Sequence, residues 1–145
     1  MFQYQLGIFD GVQDGGSKDD EGNSDKDFAG RVFAQPAKGA GIAALENLGF
    51  GLAGTYGNRT DDNGALNFRT AGRSSFYRYA NNTVTGKGIQ WRIAPQAYWF
   101  WGPFGFMGEY FKSEGDIKGT VGTGDKAQIR SAKENTDGWF AQASW

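Results

Sequence analysis

The clearest pattern along the chain is an alternation of apolar residues with polar or small ones, which is typical of β-strands whose two faces meet different surroundings. Residues 48–57 show it best, because large apolar side chains occupy most of one parity and glycine, alanine and threonine the other. Residues 2–10 and 27–35 alternate in a similar way. No stretch keeps a helical period, so we expect an all-β chain. The small side chains on the second parity of residues 48–57 could not fill a packed core, which indicates that this face meets water or an inserted segment.

Residues 91–110 contain two aromatic-rich runs around a Gly-Pro-Phe-Gly corner at residues 102–105, which predicts a tight hairpin. From Trp91 to Trp101 a strand would extend about 33 Å, and at a tilt of about 40° it would span roughly 25 Å. That is the height of the apolar band of an outer-membrane barrel. Tryptophans at both ends fall where interfacial aromatic girdles lie. The apolar parity of this run consists of Trp91, Ile93, Pro95, Ala97, Trp99 and Trp101.

Three further details of the strands lead to expectations. Pro95 has no N–H to donate to a neighbouring strand, so a β-bulge is expected there. Arg92 lies on the opposite parity of its run, and Arg31 lies opposite the apolar parity of residues 27–35. Trp139 begins the apolar parity of a last strand, and we expect it to be an interface aromatic together with Trp91, Trp99 and Trp101.

A strand buried in a soluble β-sandwich would also have one apolar face, and this alternative stays open.

The order of strands and connections predicts six antiparallel strands in one domain that covers residues 1–145. Long polar loops are expected at residues 11–26, 58–88 and 113–137, and they alternate with short connections. Short turns at one end and long loops at the other are typical of outer-membrane barrels. We therefore expect an antiparallel, up-and-down transmembrane β-barrel segment of about six strands from a larger barrel.

Composition excludes several kinds of site. The chain has no cysteine and no histidine, so cysteine nucleophiles, Ser–His pairs, Cys or His zinc sites and disulfides are excluded. Acids in the loop at 11–26 suit calcium, but their spacing does not fit the known calcium loop, so we expect a solvated loop and no metal. A hydrolase that uses Glu109 with Glu114 or Asp116 has only the presence of acids in its favour. We expect neither an enzyme nor a cofactor.

Hydropathy and charge bear on location and partners. No run of 18 apolar residues is present, so a membrane helix is excluded. No signal peptide precedes the first strand, so either the protein stays inside the cell or the sequence is an internal piece of an exported chain. The net charge of −1 predicts no nucleic-acid partner. Charged residues are nevertheless unevenly distributed along the chain. No acidic residue lies between Asp62 and Glu109, whereas four arginines and one lysine do.

Several blocks together resemble the phosphate-selective porin O and P family, in the family's order and over nearly the whole chain. They read YQLGIFDGVQDGGS, KDFAGRVFAQP, LGFGLAGTYGN, the Arg-Thr-Ala-Gly segment at 69–72, and WRIAPQAYWFWGPFGFMGEY. Members are trimeric outer-membrane porins of Gram-negative bacteria, with sixteen-stranded barrels selective for phosphate, polyphosphate or other anions. The resemblance implies that this chain is an internal segment of such a barrel, located in the outer membrane and in contact with its lipid.

The resemblance also implies a mechanism, in which an inward-folded loop and basic residues of the wall form a ladder for anions. Residues 58–88 resemble that loop, so Arg69, Arg73 and Arg78 are candidates for its anion-binding residues. Arg31 and Arg92 would belong to the water-facing wall. Arginine suits this task because its planar fork donates paired hydrogen bonds to phosphate oxygens and keeps its charge. The stretch without acidic residues would spare these arginines from ion pairing with carboxylates of the same chain.

Two alternatives remain at this point. The arginines could instead pair with loop acids or lie on a solvated surface. The whole chain could be a soluble β-sandwich that binds a ligand, for instance a carbohydrate through Tyr98, Trp99 and Trp101.

Overall fold

The computed structural model describes residues 1–10, 25–60, 67–69, 72, 74–79, 83–121 and 128–145. Within these ranges the chain is all-β and contains no helix, as the alternation predicts. The strands are β1 (Phe2–Asp10), β2 (Lys26–Ala34), β3 (Leu48–Thr60), β4 (Asn67–Arg69), β5 (Ser75–Arg78), β6 (Val84–Trp101), β7 (Phe104–Val121) and β8 (Gln128–Ser144).

Six of these strands form one antiparallel sheet in the order β1-β2-β3-β6-β7-β8. Each strand pairs with its neighbour along the chain, apart from β4 and β5, which form a separate two-stranded hairpin between β3 and β6. This is the up-and-down arrangement that the sequence predicts. β1 and β8 are the two edges of the sheet.

The connections at one end of the sheet are short. Residues 102 and 103 form the predicted tight turn, in which Gly102 has a left-handed φ of 56°. Residues 36–47 form successive turns, and the Nε1 of Trp99 donates to the carbonyl of Ala44 at 2.5 Å. The connections at the other end run through residues 11–25, 61–83 and 122–127, most of which lie outside the described residues.

The strands are longer than the sequence indicates. β7 continues to Val121 and β8 begins at Gln128, so the prediction of a polar loop over residues 113–137 was wrong for most of that segment. Likewise, residues 58–60 and 84–88 of the loop predicted at 58–88 belong to β3 and β6. Cross-strand pairs explain the extension, because residues of opposite charge face each other where apolar alternation stops. Such pairs include Lys112 with Asp137 and Asp116 with Lys133.

The β-bulge expected at Pro95 is absent. Pro95 is paired with Leu52 of β3, and the pairing with β7 is interrupted only at Ala94 and Pro95 before it resumes in the same register. A proline without a donor therefore removes a local pairing without shifting the strand.

A shift of register between β6 and β7 occurs instead between Gly86 and Gln90. Three residues of β6 are opposite Asp116 alone there, and the central one, Gly88, has φ +130°. The Asp116 carboxylate accepts a hydrogen bond from the N–H of Ile89 at 3.1 Å, which satisfies a donor that the bulge releases.

The pairing sorts side chains onto two faces, because opposite residues in an antiparallel pair point to the same side. We call one the apolar face. Its side chains include Tyr4, Leu6, Phe28, Val32, Phe50, Leu52, Trp91, Trp99, Trp101, Phe106, Tyr110 and Trp139. We call the other the arginine face. It includes Gln5, Arg31, Phe33, Thr55, Arg59, Arg92, Gln96, Ser113 and Thr136.

The apolar face is open to its surroundings. Leu6 is 84% and Trp139 is 76% exposed, and within the described residues no large side chain is fully buried. The face changes from apolar to charged after an aromatic pair formed by Tyr110 and Trp139. Beyond that pair, the next side chains on this face are Lys112 on β7 and Asp137 on β8. On β7 and β8 the apolar part of this face thus ends at an aromatic pair, and the β7–β8 hairpin extends past it.

Candidate functional site

The arginine face borders a cavity of about 760 Å³. Each of the six strands of the main sheet contributes to its lining, so the sheet curves with the arginine face on the inside. Examples in strand order are Gln5, Arg31, Arg59, Arg92, Ser113 and Glu134. The described residues of the β4–β5 hairpin do not line it.

Among the described residues of the arginine face, three arginines and one acid, Glu134, are the charged ones that line this cavity. The arginines are distributed along the strand direction. Arg31 is opposite Ala53 of β3, Arg92 is opposite Thr55, and Arg59 lies on β3 itself. Since a strand rises by about 3.4 Å per residue, successive arginines lie about 7 Å and about 14 Å apart along β3. An anion in the cavity would meet positive charge at several depths.

Arg31 is held by side chains of two strands. With the amide of Gln96 turned so that its oxygen faces the guanidinium, that oxygen accepts from Arg31 Nε at 3.2 Å and from one terminal nitrogen at 2.8 Å. The Arg31 guanidinium carbon also lies 5.9 Å from the centre of the Phe33 ring, a cation–π distance. Arg31 remains exposed to the cavity despite these contacts.

The small residues of β3 make this arrangement possible. A Cβ built on Gly51 would lie 2.5 Å from the amide of Gln96. One built on Gly49 would lie 2.7 Å from the Tyr98 ring and 2.8 Å from the Phe33 ring. Phe33 and Tyr98 stack above Gly49, with centroids 5.4 Å apart. The small parity of β3 is thus partly covered by side chains of the flanking strands, a covering that the sequence pattern did not reveal.

A hydrogen bond from a largely buried glutamine fixes the tyrosine of this stack. Gln35 is 8% exposed, and its Nε2 donates to the Tyr98 hydroxyl at 3.0 Å. Tyr98 also lies 5.5 Å from the Phe100 ring. An aromatic cluster therefore adjoins Arg31 at the end of the sheet that carries the short turns.

Carboxylates share the arginine face, although the sequence separates them from the arginines. Asp27, Glu109 and Glu134 lie on it, opposite Phe9, Gln96 and Gly115 respectively. Strand pairing thus brings carboxylates from distant segments onto the face that carries the arginines, and the expectation that the acid-free stretch spares the arginines from internal pairing stays a prediction.

The structure unites some of the predicted anion-binding residues and separates others. Arg31 and Arg92 line the same cavity. Arg78 lies exposed on β5, away from that lining. Arg69 is the last residue of β4, and Arg73 falls outside the described residues. Arg59 was missed because strand β3 was predicted to end at residue 57, and extending its alternation by one step would have found it.

The β4–β5 hairpin nevertheless has an electrostatic link to the cavity. Tyr77 and Tyr79 meet edge to face at 5.1 Å. Partial burial raises the pKa of the Tyr79 hydroxyl, and a hydrogen bond with Tyr77 and the negative charge of Glu134 raise it further. Glu134 lines the cavity, so residues just after β5 lie within electrostatic range of it.

The four predicted interface tryptophans all lie on the apolar face. Trp99 stacks on Trp101 at 6.0 Å and on Phe106 at 5.7 Å. Lys112 lies 6.0 Å from the Trp91 ring. Tyr98 points to the opposite side of the sheet from Trp99 and Trp101, so these three side chains do not share one face.

An ion pair stabilises the β7–β8 hairpin beyond the apolar band. Lys133 donates to Glu114 at 2.5 Å; the Lys133 side chain is exposed and that of Glu114 is partly exposed. This hydrogen bond lowers the pKa of Glu114, and the positive charges of Lys133 and Lys112 add to the effect. The same bond raises the pKa of Lys133. A lowered pKa of Glu114 and a raised pKa of Lys133 are the changes expected when the two charged groups contact each other directly.

Two kinds of site are absent from the described part of the chain. It holds no group of three or more acidic side chains that could bind a metal ion. In those same residues, no helix is long and apolar enough to cross a bilayer. Comparison of the chain with protein-family models, with curated proteins and with solved structures finds no match.

Proposed function

We propose that the chain forms part of the wall of an outer-membrane porin, a passive channel that prefers phosphate and other small anions. One observation carries the proposal: a single curved sheet exposes apolar side chains on its outside and lines its inside with Arg31, Arg59 and Arg92. An apolar surface of this extent is unfavourable in water but suits hydrocarbon. Water on the inner side would keep the arginines charged.

The aromatic pair of β7 and β8 supports a bilayer as the surroundings of the apolar face. Tyr110 and Trp139 lie where that face changes from apolar to charged, as interfacial aromatics do in membrane barrels. The charged extension of β7 and β8 would then project into water. We propose a Gram-negative outer membrane as the location, in keeping with the porin O and P resemblance.

The open edges of the sheet define what else the proposal requires. Within the described residues, β1 and β8 each have one unpaired side, and unpaired strand edges are not tolerated in lipid. Further strands must therefore close the barrel, and sixteen strands and a homotrimer are proposed on the resemblance alone. No cofactor or catalytic step is needed for passive diffusion.

Anion selectivity would arise from several sites of moderate strength. Arg31, Arg92 and Arg59 offer planar forks at successive depths, so an anion can pass from one to the next without being trapped by any. Arg69, Arg73 and Arg78 stay proposed as residues that anions meet in the connection between β3 and β6. Glu134 would weaken anion binding near the end of the sheet that carries the long connections and would help to release the anion there.

Measurement of reversal potentials tests the proposal. The protein, reconstituted in planar lipid bilayers under a salt gradient, is expected to prefer anions over cations. Arg92→Glu is expected to weaken or invert this preference, because it places a negative charge in the cavity. Lys118→Glu makes the same change of charge on the β7 extension, outside the cavity lining, and is expected to leave the preference nearly unchanged. Reversal potentials that are the same in Arg92→Glu and the unsubstituted protein would contradict the proposal.

A further inference from the structure

We propose that Gln96 is a positioning residue that holds Arg31 in the conformation in which it binds an oxyanion, with Gly51 as the space that admits it. This inference rests on the proposed anion function of the arginine face and assigns a role to two residues outside the arginine ladder. It is supported by the two hydrogen bonds that the amide oxygen of Gln96 accepts from the Arg31 guanidinium, at 3.2 and 2.8 Å.

The chemistry of the contact explains why an amide serves here. A guanidinium has five N–H groups, and Gln96 takes two of them, so three remain to bind an oxyanion such as phosphate or a carboxylate. A carboxylate at the same position would fix Arg31 equally well but would cancel its charge. Gln96 is neutral, and it lies between Arg31 and the acid Glu109, its partner on β7.

The geometry of β3 explains why Gln96 can reach Arg31 at all. Arg31 is on β2 and Gln96 on β6, with β3 between them. Gly51 is opposite Gln96 and has no side chain, so the amide can lie across β3. Phe33 supports the guanidinium from β2 at 5.9 Å. Arg31 therefore sits in a prepared orientation, which lowers the conformational cost of anion binding.

Phosphate binding by the detergent-solubilised protein tests this role without requiring a channel. Gln96→Met keeps the size of the side chain and removes the acceptor oxygen. We expect the Kd for inorganic phosphate to rise about fivefold, because the two hydrogen bonds that hold the Arg31 guanidinium are lost. The Arg31 Nε–H signal in NMR spectra is expected to exchange faster with water. A purely structural role would change thermal stability and leave both the Kd and this signal unmoved.

Gly51→Ala tests the same contact without changing either partner. Its Cβ would displace the flexible amide of Gln96, so phosphate affinity is expected to fall as in Gln96→Met while the fold is kept. Matched controls are Gln142→Ala, a glutamine of β8 outside the cavity lining, and Gly108→Ala, whose Cβ would have an ordinary contact of 3.4 Å. Both controls are expected to bind phosphate like the unsubstituted protein.

The outcomes separate this inference from the porin proposal. A phosphate Kd that stays within twofold in both Gln96→Met and Gly51→Ala overturns the role of Gln96, even if the reconstituted protein conducts anions. Absence of phosphate binding in the unsubstituted protein overturns it as well. Phosphate binding that depends on Gln96 and Gly51 supports it, and if no conductance accompanies that binding, the porin proposal alone fails.

Discussion

Glycine positions on β3 show how single residues shape the arginine face. Gly49, Gly51 and Gly57 each leave room that a side chain from a neighbouring strand takes up, and a Cβ on Gly57 would collide with the Asp27 carboxylate. The sequence predicts that this face is small and not part of a packed core. It does not reveal which side chains cover it, because that depends on the register of β2 and β6 against β3.

The ion pair beyond the apolar band permits a prediction at one carboxylate. The pKa of Glu114 is expected to lie below its ordinary value in an NMR titration and to return towards it in Lys133→Met, because Lys133 supplies the main stabilising hydrogen bond. Lys118→Met is the matched control and is expected to leave that pKa unmoved. Since folding lowers this pKa, the pair stabilises the hairpin above the unfolded-state pKa of Glu114. That contribution is lost as pH falls through the folded-state value.

Whole strands could be predicted where one face is apolar, and not where both faces are polar. Alternation located β1, β2, β3 and the central part of β6, since each has an apolar parity. The outer halves of β7 and β8 have charged residues on the face that is apolar elsewhere, so residues 113–137 resembled a loop. Pairs such as Asp116 with Lys133 reveal the strands only once the register is known.

Lysine substitutions on one strand test which face of that strand meets hydrocarbon. Val32 lies on the apolar face of β2, level with Leu52 and Pro95 near the middle of the apolar run. Val32→Lys in lipid vesicles is expected to lower the free energy of unfolding by about 2–4 kcal/mol, the cost of a lysine at the midplane of a bilayer. Urea unfolding followed by tryptophan fluorescence measures it.

The control for that substitution lies on the same strand. Ala29 lines the cavity and is opposite Gly7 and Thr55, so a lysine there meets no charged partner across either neighbour. Ala29→Lys is expected to change the free energy of unfolding by much less than Val32→Lys. Equal effects of the two substitutions would mean that the two faces of β2 meet similar surroundings.

At the scale of the whole molecule, the up-and-down topology was predictable, whereas the set of residues that the curvature brings together was not. Consecutive strands with short turns at one end pair as neighbours, so the order followed from the chain. Curvature, by contrast, brings Gln5 of β1 and Glu134 of β8 to one cavity, and no local pattern specifies that. The same curvature places Arg59 and Glu134 in the lining, although neither was among the predicted anion-binding residues.

Tryptophan fluorescence tests the orientation of the whole sheet. Trp91, Trp99, Trp101 and Trp139 all lie on the apolar face. In phosphatidylcholine vesicles with brominated acyl chains, their emission is expected to be strongly quenched, because bromine quenches on contact within the hydrocarbon. Iodide, which stays in water, is expected to quench weakly.

An added tryptophan on the arginine face provides the internal control for this experiment. Phe111 lines the cavity on β7, so Phe111→Trp is expected to add an emission component that iodide quenches and brominated lipid does not. If these four tryptophans of the apolar face were instead protected from brominated lipid and the protein stayed in the aqueous phase, the apolar face would be covered by protein. Because membrane insertion requires that face to contact acyl chains, this result would remove the physical basis of the porin proposal while leaving the pairing of the strands intact.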